Sequence, residues 1–168
     1  MIHVCSLARL HETVASTGAS HVVTLLKDTD RVQRPCGVAA QNHLILGMDD
    51  ITGPLEGYVV PADEHVTRLL TFVRGWDRAA PLVVHCYAGI SRSTAAAYVT
   101  ACALNPRCDE LVMAKRLRLA SPTATPNARI VALADRALAR NGRMLSAIEH
   151  IGRGITAIEG DPFRLELE

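Results

Sequence analysis

One stretch of this chain concentrates groups that can do chemistry: His85-Cys86-Tyr87-Ala88-Gly89-Ile90-Ser91-Arg92-Ser93-Thr94. A thiol and a guanidinium lie six positions apart with a glycine between them, and the run before them, Pro81-Leu82-Val83-Val84, reads as a buried strand. If a helix begins at Arg92, the intervening loop points successive backbone N–H groups at one spot, and the helix N-terminus adds partial positive charge there. Gly89 lets the loop turn without a Cβ penalty. Arg92 can grip two oxygens of an anion. The product is a cup for a tetrahedral oxyanion, such as phosphate or vanadate, with the Cys86 thiol at its floor. An ordinary thiol titrates near ~8.5, so a nucleophilic thiol in mildly acidic solution needs a field that favours its anion. A helix N-terminus supplies about 1–2 kcal/mol of that. Loop amides, Arg92 and the Ser93 hydroxyl are expected to supply the remainder.

A thiolate attack on phosphorus needs a proton donor for the leaving oxygen. Asp49 and Asp50 are adjacent, so their side chains diverge. Leu44, Leu46 and Met48 alternate on one face of a predicted strand, and Asp50 continues that parity; the residue pattern alone chooses no further. The bland reading of either carboxylate is a turn residue bonded to its own loop.

The elements that must position these groups follow from periodicity. Residues 2–5, 21–26, 43–48 and 81–85 read as strands, and 7–16, 62–74, 93–104, 109–120, 128–140 and 143–151 as helices. Segment 93–104 carries no charge and predicts a helix buried nearly all round. Asn127 fits an N-cap. Residues 49–61, rich in Gly and Pro, form a loop, and the tail from Gly160 gives no pattern. Strands alternating with helices, then helices alone, predict a single α/β domain over 1–168. The expected architecture is a three-layer sandwich with a mainly parallel central sheet, binding its ligand at the carboxyl ends of the strands.

HCYAGISRST matches the HC-x5-R-[ST] signature and resembles the cysteine-dependent protein tyrosine phosphatases, with wording most like the dual-specificity subgroup. LGMDDI (46–51) is similar to that subgroup's general-acid segment, and Thr125-Pro126-Asn127 to the Pro-Asn after its helical region, so the resemblance spans roughly residues 20–140. It implies Cys86 as nucleophile, Arg92 as phosphate clamp and the amides of Tyr87, Ala88, Gly89, Ile90, Ser91 and Arg92 as further phosphate ligands. It also implies Ser93 as donor to the departing sulfur, His85 as support beneath the loop, Asn127 as a supporting residue and Asp50 as the acid. No metal or cofactor is implied.

Composition narrows the partners. A net charge of +1 and 21% charged residues give no basic field for nucleic acid, and no apolar run reaches membrane-spanning length. Five Cys, an odd number, suit a reducing compartment, and a cytoplasmic protein is expected. The seven His show no metal-ligand spacing. His65 is expected to cap its helix or face solvent, Trp76 to pack, Tyr87 to stand at the pocket rim and Arg129 to lie near it. Arg116 and Arg118 are expected on a solvated face. Cys102 and Cys108 read as helix core and helix start, and no spacing supports a disulfide from Cys5 or Cys36 to Cys86. Uncharged Tyr87, Ala88 and Ile90 in the loop disfavour polyphosphoinositides. A phosphorylated protein is therefore the first substrate expected, carrying phosphotyrosine, with phosphoserine and phosphothreonine as further candidates. A lipid or small-molecule phosphatase of the same chemistry and a catalytically inactive phospho-binding module are the alternatives.

Overall fold

The computed structural model describes residues 1–167. Five strands, β1 (Ile2–Ser6), β2 (His21–Leu25), β3 (His43–Leu46), β4 (Leu82–Cys86) and β5 (Phe163–Leu165), form one sheet in the order β3-β2-β4-β1-β5. The first four pair in parallel, and β5 joins β1 antiparallel. β4 lies at the centre, and all five of its residues are buried. That is why it reads as an unbroken apolar run: a parallel strand covered on both faces has no side left for polar residues.

The helices are divided unequally between the two faces. Helix α1 (Leu10–Thr17) covers one face, where Leu10 and Val14 pack with Cys5, Val22 and Val83. Helices α2 (Asp63–Gly75), α3 (Arg92–Leu104), α4 (Glu110–Ala120), α5 (Ala128–Ala137) and α6 (Arg143–Ile151) build the other side around Val4, Val23, Val84 and Cys86. At about 1.5–3 kcal/mol for each large side chain buried, this second layer carries most of the apolar stabilisation. Its centre is α3, buried without interruption from Arg92 to Cys102. A helix surrounded on every side needs small, uncharged residues to admit its neighbours, which accounts for Ala95, Ala96, Ala97 and Ala101.

Several expectations on boundaries are corrected. α1 begins at Leu10 instead of 7, because β1 runs on to Ser6 and residues 7–9 make a turn closed by Arg9 N to Ser6 O (3.3 Å) and Leu10 N to Leu7 O (3.3 Å). β3 ends at Leu46, two residues early. α5 stops at Ala137, and Ala139 and Asn141 then take positive φ. The tail, which gave no pattern, supplies β5. Arg118 does not lie on a solvated face. Its guanidinium donates to the carbonyls of Ala124 (2.7 Å), Ile151 (3.1 Å) and Gly152 (2.9 Å), stapling α4 to the end of α6. Among the described residues no helix is long and apolar enough to cross a membrane.

Candidate active site

Strand β4 delivers Cys86 to the carboxyl edge of the sheet, and six residues later α3 begins. The loop between them is held by its carbonyls. Tyr87 O accepts from Leu7 N (3.1 Å), Ala88 O from Gly160 N (2.9 Å), Ile90 O from Thr125 N (3.0 Å) and Ser91 O from Ala95 N (3.0 Å). Among the described residues no peptide is cis, so the N–H that follows each carbonyl points the opposite way. The amides of Ala88, Gly89, Ser91 and Arg92 are thereby turned toward the inside of the loop. Gly89 has φ +74°, and a Cβ there would stand 2.8 Å from the Cys5 carbonyl carbon and the Ser6 nitrogen. Glycine is required here for both conformation and space.

The side chains converge on the same place. Cys86 is 2% exposed, with its Sγ 3.1 Å from Ser93 Oγ. Arg92 is 8% exposed; its Nη1 donates to the Met48 carbonyl (2.8 Å), and its Nε is buried with no partner among the described residues. A buried, unsatisfied guanidinium N–H is costly unless an acceptor arrives. The cavity above is about 380 Å³, lined by Leu7, Leu26, Lys27, Asp49, Asp50, Tyr87 and Arg92, with Asp28 at its edge. Tyr87 is 72% exposed, at the rim where it was expected.

The two aspartates are separated by their partners. Asp49 Oδ2 accepts from Val59 N (2.7 Å) and lies 3.7 Å from Lys27 Nζ, so this carboxylate closes its own loop. Lys27 also donates to Gly57 O (3.0 Å) and sits 5.0 Å from the centre of the Tyr58 ring. Asp50 is exposed, and its Oδ1 accepts from Ser91 Oγ (2.7 Å) and Asn127 Nδ2 (2.8 Å). Asn127 caps α5 as expected, its Oδ1 accepting from Arg129 N and Ile130 N. Arg129 reaches Pro61 O (2.6 Å), tying the far end of the acid-bearing loop to α5. A larger groove of about 690 Å³ lies on the other side of Asp50, between Ser91, Asn127 and residues 148–157.

Below the loop, His85 is fully buried, and its Nε2 bonds Thr24 Oγ1 (2.7 Å), which also bonds His43 Nε2 (2.8 Å). Burial, and secondarily the neighbouring His43, push the His85 pKa down to about 3, so the ring is neutral. Cys5 pairs with His85 in the sheet register and packs on the α1 face, opposite Cys86; burial pushes its thiol up to about 11. All five Cys are free. His65 Nδ1 accepts from Ala62 N (3.0 Å), a cap, and Trp76 Nε1 donates to Ala80 O (2.9 Å) from a buried position. Among the described residues no cluster of three or more His, Cys, Asp or Glu could hold a metal ion.

Of the site residues expected from sequence, Asp50, Tyr87 and Arg92 line the 380 Å³ cavity, Asp50, Ile90, Ser91 and Asn127 line the groove beside it, and Cys86 with Ser93 is buried at the ends of the loop that borders both. Sequence reasoning missed the supports. Thr24 is a hydroxyl in a strand with nothing to mark it. Glu159, which accepts from Ser6 Oγ, and Gly160, which reaches Ala88 O, lie in the patternless tail.

No protein-family model matches the chain, and no curated protein matches it. Solved structures do. The structure of DUSP15 superposes with a TM-score of 0.66 at 14% identity, covering 89% of this chain and 90% of that one. Human DUSP28 gives 0.64 at 17% identity, covering 83% and 89%. PTPMT1 gives 0.62 at 13% identity, covering 90% and 96%. Identities this low carry the backbone and leave the chemistry to the site itself. What the comparison shows is the fold: the chain shares its backbone architecture with solved structures of protein tyrosine phosphatases of the dual-specificity type.

Proposed function

We propose that this protein hydrolyses phosphomonoesters through a phosphocysteine, with phosphotyrosine on a protein as its first substrate. The observation that carries the reading is the unpartnered, buried Nε of Arg92, a residue that lines the 380 Å³ cavity at the end of the loop that starts at the buried Cys86. A phosphoryl oxygen would satisfy it, while the inward amides of the loop take the remaining oxygens.

In the first step the Cys86 thiolate attacks phosphorus, the phosphorus–oxygen ester bond breaks, and the leaving oxygen takes a proton from Asp50. In the second, the Asp50 carboxylate takes a proton from water, the water oxygen attacks phosphorus, and the sulfur–phosphorus bond breaks. Ser93, 3.1 Å from the sulfur, donates to the departing thiolate. Arg92 and the loop amides stabilise charge in both steps, so no metal enters this reading. Neutral His85 keeps a second cation from competing with Arg92. The exposed Tyr87 at the rim favours an aryl ester, and the uncharged loop positions favour a single phosphate. Free thiols suit a cytoplasmic location.

The test is hydrolysis of p-nitrophenyl phosphate and of a phosphotyrosyl peptide from about pH 4.5 to 8. Activity on the acidic side, inhibited by vanadate and indifferent to chelators, is expected. Cys86→Ser should lower kcat by at least about 1,000-fold. Acid quench of the wild type should trap phosphate on Cys86. A folded wild type that binds vanadate and turns over neither ester would leave the phospho-binding module instead.

A further inference from the structure

Ser91 belongs to the loop between Cys86 and Arg92, yet its side chain is bonded to a residue outside that loop. Its Oγ lies 2.7 Å from Asp50 Oδ1, the oxygen that Asn127 Nδ2 reaches at 2.8 Å. The amide of Asn127 cannot be turned over, because its Oδ1 already accepts from the N–H groups of Arg129 and Ile130. Its nitrogen is therefore the end presented to Asp50. An ionised carboxylate offers acceptors alone, so the Ser91 hydroxyl donates.

We propose that Ser91 is a positioning residue for the general acid: with Asn127 it occupies Oδ1 of Asp50, so that the transferable proton resides on Oδ2. The proposal rests on Asp50 being the acid. A carboxyl oxygen has two lone pairs, and two donors use both. A proton on Oδ1 would have to displace one of them. Geometry then gives the remaining oxygen its direction. Ser91 and Asn127 line the 690 Å³ groove on one side of Asp50 and are absent from the lining of the 380 Å³ cup on the other. With both donors on residues that line the groove, the proposal assigns Oδ2 to the cup side, where the leaving oxygen would stand.

The bond also has a consequence for registration. The Ile90 carbonyl is held outward, so the Ser91 amide faces the phosphate while its hydroxyl holds the acid. One residue thus fixes the acid relative to the phosphorus, independently of the exposed 49–61 loop that carries Asp50. Misplacement of a catalytic group by about 1 Å is enough to cost roughly 100-fold.

The experiment compares Ser91→Ala, Ser91→Thr and Asp50→Ala on two esters, p-nitrophenyl phosphate, whose leaving group needs little protonation, and phenyl phosphate, whose leaving group needs it. Vanadate inhibition is measured beside them as a report on the loop. Ser91→Ala should lower kcat on phenyl phosphate roughly 10- to 100-fold, and on p-nitrophenyl phosphate by no more than about threefold. Vanadate affinity should be unchanged, and Ser91→Thr, which keeps the hydroxyl, should restore most of the phenyl phosphate rate. Equal losses on both esters with weakened vanadate binding would mean that Ser91 only supports the loop, and would overturn the proposal. So would a Ser91→Ala enzyme that loses nothing on either ester. If Asp50→Ala itself shows no preference between the esters, the assignment of the acid falls first and takes the proposal with it.

Discussion

Residues 86–92 and residues 49–61 meet at the same cavity and are held by different kinds of bond. The first loop is fixed through main-chain carbonyls, which accept from Leu7, Gly160, Thr125 and Ala95, four points spread from the N-terminal segment to the tail. The second depends largely on side chains. Lys27 and Asp49 close it at one end, Arg129 holds Pro61 at the other, and Ser91 and Asn127 hold Asp50 between them. In the proposed reaction the 86–92 loop would have to present several amides within tenths of an ångström, and backbone bonds from all round the fold give it that rigidity. The acid has one carboxyl to deliver, and a few side-chain bonds suffice. Substitutions that disturb backbone space or burial should therefore damage the first loop through stability. Deletion of Asp50 or of the side chains that bond it should damage the second through rate.

The largest expected effect comes from the floor of the phosphate loop. Folding holds His85 neutral, with a pKa of about 3 against 6.5 for a free histidine. The unfolded chain therefore binds more protons than the folded one between these values. Stability is full above about pH 6.5 and falls as the pH drops toward 3, by about 4–5 kcal/mol at most. Urea unfolding at pH 7, 5 and 4 should show this loss. His85→Gln, which does not titrate, should flatten the slope even if it lowers stability at pH 7. An unchanged slope would mean that other groups govern acid unfolding.

Gly89→Ala is next. The new Cβ meets backbone atoms at 2.8 Å, and the residue is held at φ +74°. Neither atom is the end of a flexible side chain, so the loop or β1 must shift. A loss of about 2–4 kcal/mol is expected, read as a drop of roughly 5–15 °C in Tm. Both esters should lose rate together, the pattern opposite to that expected of Asp50→Ala. A variant with unchanged Tm and full vanadate affinity would show that the loop is softer than its bonds imply.

The same contrast explains what could be read in advance. The 86–92 loop was legible because the chemistry proposed for it needs fixed residue types at fixed spacing: Cys86, Gly89, Arg92 and Ser93 would each do something that few other residues can. β4 and α3 were legible because total burial strips charge from their sequence. The supports were not. A carbonyl acceptor has no residue type, so nothing marks Leu7, Thr125 or Gly160 as partners of the loop. β5 is three residues long and pairs with a strand at the opposite end of the chain, a long-range contact without local periodicity. Arg118 looked solvated because spacing shows which face of a helix a residue occupies and not the carbonyl ends that α6 brings to it.

The smallest effect is expected at Asp49, and it tests the division between the loops most sharply. Asp49 and Asp50 are neighbours of the same chemistry, and both border the cup. Asp49 accepts from Val59 N at 2.7 Å and lies 3.7 Å from Lys27, while its own N–H donates to Val59 O at 2.8 Å. These bonds take Asp49 Oδ2 and shape the loop, whereas Ser91 and Asn127 bond Asp50. The Lys27 pair is partly exposed, so the ion pair contributes at most about 1 kcal/mol. Asp49→Ala should cost about 1 kcal/mol, or roughly 2–4 °C in Tm, through the lost loop bond. It should change kcat on phenyl and p-nitrophenyl phosphate by the same small factor, within about threefold, because Ser91 and Asn127 still hold Asp50 in place. Asp50→Ala should leave Tm nearly unchanged and slow phenyl phosphate by about 100-fold or more, with far less effect on p-nitrophenyl phosphate. Exchange of these two patterns would assign the acid to Asp49 and make the Ser91 and Asn127 bonds structural.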